Sequence, residues 1–428
     1  MNAASRKIQS VYLILLLLHT LAASLIWGIN TLFLLDAGLS NTQAFAANAF
    51  FTAGLVLFEV PTGVLADTRG RRLSYLLGTL TLAISTLLYL LMWYVSAPFS
   101  AWALASVFLG LGFTFFSGAV QAWLVDALTF TGYFREGGTL EKVFARGEIV
   151  EGAAMLSGSV AGGVVAQATN LGVPYVLRAI VLAVTLVVAF TLMRDLGFSP
   201  SRGKDPVKEV KSLLRSSFEQ GLANPPVRWV MLAGLFTDGV TIYAFYAMQP
   251  YLLELYGNQR AFAIAGLAAA IVAGAQIAGG LLVPHLRRVF RRRTSVLLIG
   301  LSLSTVMLAT IWFIPRFGIT IAVLVLWSLM FAALTPVRQA YLNGLIESEH
   351  RATVLSFDSL LGSSGAVAVQ PSLGRAADQW GYPVSYACGA AIQALAIPFV
   401  WLARRERAPS DAMNAHQPLD LPSTSKTP

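Results

Sequence analysis

Three titratable side chains stand inside long apolar stretches of the sequence, namely those of Asp238, Arg338 and His19. A charged group in the hydrocarbon core of a bilayer costs about 2.5–3.5 kcal/mol on insertion scales, so it faces the protein interior or water. Asp238 lies near the middle of its stretch and is a candidate for binding a cationic solute or a proton. The structural alternative is a carboxylate that is satisfied by the hydroxyls of its neighbours Thr237 and Thr241.

Arg338 could pair with Asp238 or with an anionic solute, but its long stem could equally carry the guanidinium to the cytoplasmic interface. An unperturbed histidine titrates in the physiological range, which makes His19 a candidate proton site, whereas a lone histidine in an apolar stretch is more often a packing residue. Further candidates for lining a solute or proton site are Asn30, Gln121, Tyr243 and Tyr246, with Trp27, Phe245 and Tyr251 as other aromatic wall residues.

Residues 59–72 hold most of the polarity between two long apolar stretches. Glu59, Gly63 and Asp67 follow one another at intervals of one helical turn, so they share a face of one helix. The turn that follows contains Gly70, Arg71 and Arg72. A carboxylate in the last turn of an apolar helix, followed at once by a basic turn, is typical of a membrane interface.

The composition indicates what kind of structural element positions these residues. Hydrophobic residues make up 56% of the 428 residues and charged residues only 12%, against about a quarter in soluble domains. Uncharged runs long enough to cross a bilayer recur along the whole chain, which predicts an all-α polytopic membrane protein. The net charge of +9 comes from short loops between these runs, so we expect a lipid bilayer as partner and no nucleic acid.

The single Cys388 excludes an internal disulfide, and no Cys/His cluster predicts a metal site. We therefore expect no cofactor. The N-terminal apolar run begins after Arg6 and Lys7 and continues to Leu35. Since this length exceeds the apolar core of a cleaved signal peptide, we interpret the run as an uncleaved first span.

Twelve spans of a length that can cross a bilayer with some tilt are predicted. Their approximate ranges are 10–35, 42–66, 72–95, 101–128, 143–168, 173–193, 228–254, 259–283, 294–315, 318–345, 352–377 and 382–403. Placing the N-terminus inside the cell puts all but five of the 30 lysines and arginines on the cytoplasmic side. The exceptions are Arg178, Arg260, Arg316, Arg338 and Arg375, of which we place only Arg338 deep in a span. Both termini are therefore expected inside.

Residues 194–227 divide the spans into six and six. We predict a six-helix bundle over 1–193, a cytoplasmic linker with an amphipathic helix over 194–227, a second bundle over 228–407 and a disordered tail over 408–428. The helix is predicted from the spacing of Val207, Val210, Leu214 and Phe218, with Lys208, Lys211 and Arg215 between them. The pattern Gln-Ala-aromatic-Leu occurs at 121–124 and again 218 residues later. With the basic turn repeated at a similar distance, it predicts two pseudo-symmetric halves.

These features resemble the major facilitator superfamily. Its signature between spans 2 and 3 reads G-x-x-x-D-[RK]-x-G-[RK]-[RK], and residues 63–72 match it except for Thr68 at the first basic position. The resemblance implies a transporter whose spans 1 and 7 line a central cavity. Residues 117–126 are similar to a bacterial drug-exporter branch. However, the span-4 arginine and the span-5 proline of proton-coupled drug antiporters have no counterpart here.

We expect a second group of charged residues to support the cytoplasmic gate. Carboxylates near the cytoplasmic span ends are expected to pair with Arg146, Arg71 or Arg72 and to lock the gate in one state. The acidic members of this group are Asp126, Glu148, Glu151 and Asp358, and Glu59 is either a proton site or an anchor of the loop. In the 63–72 motif, the glycines permit close helix approach and Asp67 is expected to accept bonds from a neighbouring helix terminus.

The sequence therefore favours a monomeric secondary transporter of the cytoplasmic membrane, with two halves that rock around a midplane site. We expect proton-coupled efflux of an amphipathic or lipophilic small molecule, including a cationic one. The first alternative is a proton-coupled importer of a small metabolite, which the missing antiporter residues favour. The second is a receptor or a membrane enzyme. Neither a large soluble domain nor a set of catalytic groups supports that class.

Overall fold

The computed structural model describes residues 2–200, 215, 221–346 and 351–413, and these residues form helices joined by short turns. Eleven helical segments are long and apolar enough to cross a membrane. The last of them, residues 354–405, is 52 residues long, or about 78 Å at 1.5 Å per residue. That length exceeds twice a hydrocarbon core of about 30 Å, and the segment turns at Gly381, where φ is +79°. The prediction of an all-α, twelve-span protein is confirmed.

The N-terminal half contains eight helices. Their bounds are α1 Ala3–Trp27, α2 Asn30–Asp36, α3 Asn41–Arg69, α4 Arg71–Tyr94, α5 Phe99–Thr114, α6 Ala119–Phe130, α7 Leu140–Ala168 and α8 Val173–Leu192. The first predicted span is α1 followed by α2, and the fourth is α5 followed by α6. Gly118 adopts φ +66° before α6, a conformation that only glycine reaches without strain.

The described residues of the C-terminal half form seven α-helices. Their bounds are α9 Pro225–Tyr256, α10 Phe262–Gly280, α11 Val283–Val289, α12 Arg293–Phe313, α13 Phe317–Asn343, α14 Arg351–Ala394 and α15 Ala396–Arg405. The eighth predicted span corresponds to α10, with α11 as a short basic continuation. Helix α14 provides the eleventh span and, beyond Gly381, the start of the twelfth, which α15 completes.

The two halves pack through α3 against α14 and through α7 against α10. Small residues permit the second contact: a Cβ added to Gly266 would lie 2.5 Å from the Ser159 carbonyl oxygen, and one added to Gly163 would lie 2.7 Å from that of Phe262. Close backbone approach of this kind is how transmembrane helices associate without a hydrophobic driving force.

Two predictions about the connecting segments have different outcomes. The predicted amphipathic helix of the linker falls on residues 207–218, which lie outside the described residues except for Arg215. The predicted tail, in contrast, begins too early. Residues 408–413 pack on the cytoplasmic end of α12, where Asp411 accepts hydrogen bonds from the backbone nitrogen of Thr294 (2.8 Å) and its hydroxyl (2.9 Å). The Ser410 hydroxyl donates to the Tyr341 carbonyl oxygen (2.9 Å). The C-terminal half therefore extends to at least Met413.

Candidate functional site

A cavity of about 300 Å³, here called the central cavity, lies where the N-terminal half meets α9. The side chains that define it chemically are His19, Asn30, Asn48, Glu151, Arg178 and Tyr246. All but Tyr246 belong to the N-terminal half. The broken span α1–α2 contributes Trp27 and Asn30, and α9 contributes Tyr246 across the boundary between the halves. A solute held here would contact both halves, as alternating access requires.

A second cavity of about 560 Å³, here called the cytoplasmic cavity, adjoins the first. His19 and Glu151 line both of them. Tyr12 of α1 and Glu148 of α7 line its outer part, near the cytoplasmic ends of their helices. Gln121 also lies on this wall. The two cavities together form a path from the cytoplasm to the middle of the membrane.

Arg178 is the residue that the sequence analysis misplaced. It was assigned to the extracellular side, but it is the sixth residue of α8 and only 2% exposed. Its Nε donates to the Thr86 hydroxyl (3.0 Å). The titratable groups that interact with it are the phenols of Tyr175, Tyr89 and Tyr246 and the imidazole of His19. The sequence contained a signal for this burial: Arg178 stands among apolar residues about one and a half turns into its predicted span.

A directed chain of hydrogen bonds forms one wall of the central cavity. The Tyr175 hydroxyl donates to Asn30 Oδ1 (2.9 Å), and Asn30 Nδ2 donates to Asn48 Oδ1 (3.3 Å). Asn48 Nδ2 is buried and has no partner among the described residues. The chain therefore ends in a donor. Asn30, predicted as a lining residue, acts as the middle link.

His19 lies at the junction of the two cavities. Its ring packs against that of Phe116, with 4.3 Å between centroids, and edge-on against Phe113. Its Nδ1 is buried and finds no partner within the described part of the chain. The ring contacts support the packing interpretation of His19, and its place on the walls of both cavities supports the functional one.

Asp238 and Arg338 lie on a separate cavity of about 320 Å³ inside the C-terminal half. Arg338 binds Asp358 with two parallel hydrogen bonds of 2.6 Å each. Asp238 accepts a hydrogen bond from the Thr237 hydroxyl (3.0 Å) and packs against Gly362, where an added Cβ could not fit. The predicted gate pair of Asp358 with Arg146, Arg71 or Arg72 is not made in this state, because Asp358 binds Arg338 in the same half.

Tyr243 does not line these cavities. It is 1% exposed, its hydroxyl bonds that of Ser385, and its ring packs 4.5 Å from Phe45. Its place is the packed boundary between α3 and α9, so its assignment to a solute site is corrected. Tyr246, one turn along α9, turns toward the central cavity.

The carboxylates of α7 face water rather than arginines. Glu148 and Glu151 are exposed on the cavity walls, and Arg146 donates to Gln9 Oε1 (3.4 Å). Among the described residues, the predicted pairs of these groups with Arg146, Arg71 or Arg72 are absent. The arginines have other partners: Arg146 binds Gln9, Arg71 binds Asp67, and Arg72 binds the Phe190 carbonyl oxygen.

The 63–72 motif makes its contacts within the N-terminal half. Arg71 pairs with Asp67 one turn earlier, and Arg72 donates to the Phe190 carbonyl oxygen (2.6 Å). Gly70 has φ +114°, and an added Cβ there would collide with Asp195. No Cβ contact lies within 4 Å at Gly63, so its expected close helix approach is not present in this conformation. The neighbour of Glu59 is the Ser117 hydroxyl, which donates to it.

Asp195, which was not predicted as a site residue, contacts the Gly70–Arg72 turn of the motif. Its Oδ1 accepts from the backbone nitrogen of Arg72 (2.9 Å), which caps the N-terminus of α4. Burial raises the pKa of the Asp195 carboxyl above its usual value, against the opposing effects of Arg72 and Arg71. Asp126 is close enough for its negative charge to add to this rise.

The extracellular ends of the two halves are joined by polar contacts. Asp378 of α14 accepts from the backbone nitrogens of Asn41 (2.9 Å) and Thr42 (2.8 Å) at the start of α3. Gln249 of α9 accepts from the Thr31 nitrogen (2.9 Å) and donates to the Trp27 carbonyl oxygen (2.8 Å). The central cavity is therefore closed to the outside and reached from the cytoplasm.

Comparisons with known proteins agree with this architecture. The sequence model of the Major Facilitator Superfamily matches residues 12–291 and 262–424. A search of curated proteins finds no match. Among solved structures, a mutant of the nucleoside transporter NupG superposes with a TM-score of 0.75 at 11% identity, covering 92% of this chain and 99% of that one.

Two other solved structures are similar over nearly the whole chain. A bacterial homolog of the human lysosomal transporter Spinster, in an inward-facing and unoccupied conformation, has a TM-score of 0.69 at 15% identity and covers 97% of this chain and 100% of that one. The POT family transporter PepTSo has a TM-score of 0.70 at 14% identity, with coverages of 95% and 99%. At these identities the likeness shows the fold alone.

Proposed function

Since the chain belongs to the Major Facilitator Superfamily, we propose that this transporter couples proton movement to the export of an amphipathic small molecule. Alternating access of its two halves is the mechanism of the family fold. The observation that carries the proposal is the central cavity, which contacts both halves and is reached through the cytoplasmic cavity. A solute from the cytoplasm or the inner leaflet can enter it in this state.

The walls of the central cavity suit an amphipathic solute. Apolar lining comes from residues such as Ile26, Leu109, Phe113 and Met155, and the polar groups cluster around Arg178. Binding sites for small molecules combine a mostly apolar surface with a few placed polar groups. Export then follows when the extracellular contacts open and the cytoplasmic side closes.

Three titratable residues on the cavity walls are candidates to carry the proton: His19, Glu151 and Asp238. His19 and Glu151 lie on the solute path itself. Asp238 lies in the other half, near Arg338. Moving one charge through 100 mV supplies about 2.3 kcal/mol, which is enough to drive roughly a fifty-fold gradient per proton.

The test is flux in proteoliposomes with an imposed pH gradient, over a panel of amphipathic solutes. We expect counterflow of protons and solute, and we expect its loss in the variant Asp238→Asn or His19→Gln. Arg316→Gln is the matched control, because Arg316 is exposed at the start of α13. Absence of pH-dependent flux for every solute would refute the proposal, and full coupling in both variants would refute these proton sites.

Import of a small metabolite is the second candidate, because the span-4 arginine and span-5 proline of drug antiporters are absent. The sign of the flux at fixed pH gradient separates the two directions. Uptake that rises with inward proton flow would favour the importer, and it would also remove support for the drug-exporter branch. We propose the cytoplasmic membrane as the location and the monomer as the working unit.

A further inference from the structure

We propose that the central cavity selects an organic anion and that Arg178 binds its carboxylate. This inference rests on the proposed function, because it names the class of solute that the transporter carries. It differs from a cationic solute bound at Asp238, which the sequence alone favoured. The charged residues within the membrane differ in whether they already have partners.

In the C-terminal half, the charges of Arg338 and Asp358 within the membrane are matched. Arg338 is held by both oxygens of Asp358, and Asp238 lies near the same guanidinium. A guanidinium with a bidentate carboxylate has its charge and its geometry satisfied. This cluster therefore has no unpaired cation to offer a solute.

In the N-terminal half the buried cation is unmatched. Within the described residues, the Thr86 hydroxyl is the sole hydrogen-bond partner of Arg178, through Nε. The two terminal nitrogens, which form the fork that fits a carboxylate, make no hydrogen bond to this part of the chain. The described titratable groups that interact with Arg178 are the phenols of three tyrosines and the imidazole of His19. Glu151 lines the same cavity but is not among them. A buried charge without a partner is costly, so an anionic ligand would gain the full benefit of pairing with it.

Two further polar atoms on the same cavity lack partners. Asn48 Nδ2, the donor end of the chain from Tyr175, is buried and unpaired among the described residues, as is His19 Nδ1. Buried polar atoms almost always have a partner, and an exception needs an explanation such as a ligand. Asn48 and Arg178 line the same cavity and both have donors without a partner among the described residues, so an acceptor group on the ligand would suit both. A carboxylate supplies two acceptor oxygens and the negative charge.

The rest of the cavity limits the size and character of the anion. A volume of about 300 Å³ lies at the lower end of the range for small-molecule sites, about 300–1,000 Å³. Trp27, Phe113 and Met155 provide apolar walls. The fitting solute is a monocarboxylate with a compact apolar or aromatic body, rather than a free inorganic anion.

The test is thermal unfolding of the purified full chain with matched pairs of probes. Suitable pairs are octanoate with octanamide and indole-3-acetate with indole-3-acetamide, with chloride and phosphate as inorganic anions. We expect the carboxylates to raise Tm and the amides and inorganic anions to have little effect. Equal stabilisation by acid and amide, or by chloride alone, would overturn the proposal.

The variants Arg178→Gln and Arg178→Lys identify the binding group. Removing one partner of a buried charge pair weakens affinity by about 30-fold or more, so Arg178→Gln should lose the response. Arg178→Lys should retain part of it, and the control Arg316→Gln should retain all of it. If Arg178→Gln does not fold, Asn48→Asp serves instead, because it replaces the donor with a negative charge that repels a carboxylate. Unchanged carboxylate affinity in the variants would refute the site.

Flux measurements separate this inference from the proposed function. Proton-driven flux of neutral or cationic solutes without carboxylate binding would overturn the inference and leave the transporter proposal intact. Arg178-dependent carboxylate binding without flux of the same probe would support the site and count against the proposed function.

Discussion

Replacing Asp378 with alanine removes a carboxylate that joins the two halves at their extracellular ends. Asp378 belongs to α14, but the groups that it binds belong to α3: the backbone nitrogens of Asn41 and Thr42 and the Thr42 hydroxyl, the last at 2.6 Å. It acts as the N-terminal cap of a helix in the other half. The cap exists only while the extracellular side is closed.

The magnitude follows from what a cap contributes. Replacing a capping side chain by alanine costs about 0.5–2 kcal/mol, and exposure of Asp378 to solvent reduces the electrostatic part. We therefore expect a loss of about 1 kcal/mol, which falls only on the state closed to the outside. The equilibrium between the two states should shift about fivefold toward the outward-open state.

The assay uses cysteine accessibility from the extracellular side. Cys388 is the sole cysteine, so Cys388→Ser gives a clean background for Thr52→Cys. Thr52 is 4% exposed and contacts Gln370 of α14 (3.4 Å). It becomes accessible when α3 and α14 separate. The rate of labelling by an impermeant maleimide in right-side-out vesicles should rise about fivefold with Asp378→Ala.

A matched control is available at the same membrane face. Asp36 accepts a hydrogen bond from Trp93 Nε1 (2.8 Å), and both residues belong to the N-terminal half. Asp36→Ala should leave the labelling rate unchanged. If Asp378→Ala labels at the original rate, or if Asp36→Ala raises the rate equally, the cap does not hold the extracellular side closed.

Two further predictions concern stability. Arg338→Gln should lower the free energy of unfolding by about 2 kcal/mol, which is less than the 3–5 kcal/mol of a fully buried pair because the Arg338 side chain is 30% exposed. Combining Arg338→Met with Asp358→Leu should restore most of the lost free energy. An equal loss in the single and the double variant would contradict the pairing. Burial raises the pKa of Asp195 in the folded state, so its stabilising contribution is full below about pH 3.9 and is lost as pH rises through the raised value. The difference in Tm between the unmodified protein and Asp195→Asn should therefore fall as pH rises from about 3.9 through the raised pKa. A difference that stays constant with pH would argue against a raised pKa of Asp195.

The architecture was predictable because it depends on local properties of the sequence. Span length is fixed by bilayer thickness, and the orientation by lysines and arginines in short loops. Gly381 marks the turn between the last two spans, since its φ of +79° is a glycine conformation. None of these requires knowledge of distant contacts.

The candidate site was less predictable because its chemistry depends on which helices meet. Arg178 looked like an interfacial anchor, and its surroundings come from α4 and α9 as well as from α8. Asp358 looked like a gate residue, whereas the partner that binds it is 20 residues earlier on α13. Pairing across the cytoplasmic gate also depends on the conformational state, which a sequence does not specify. Gln121 and Tyr246, by contrast, line the two cavities of the solute path.

The carboxylate caps of Asp195 and Asp411 have a consequence for biosynthesis. Each follows the last span of its own half and binds the N-terminus of that half's third span, through Arg72 in one case and Thr294 in the other. Each cap can therefore form only when the sixth helix of its half has left the ribosome. Because the N-terminal half is synthesised first and domains fold as units during synthesis, it can complete its cytoplasmic face before the second half emerges. The two caps thus form one after the other, in the order in which the two halves are synthesised.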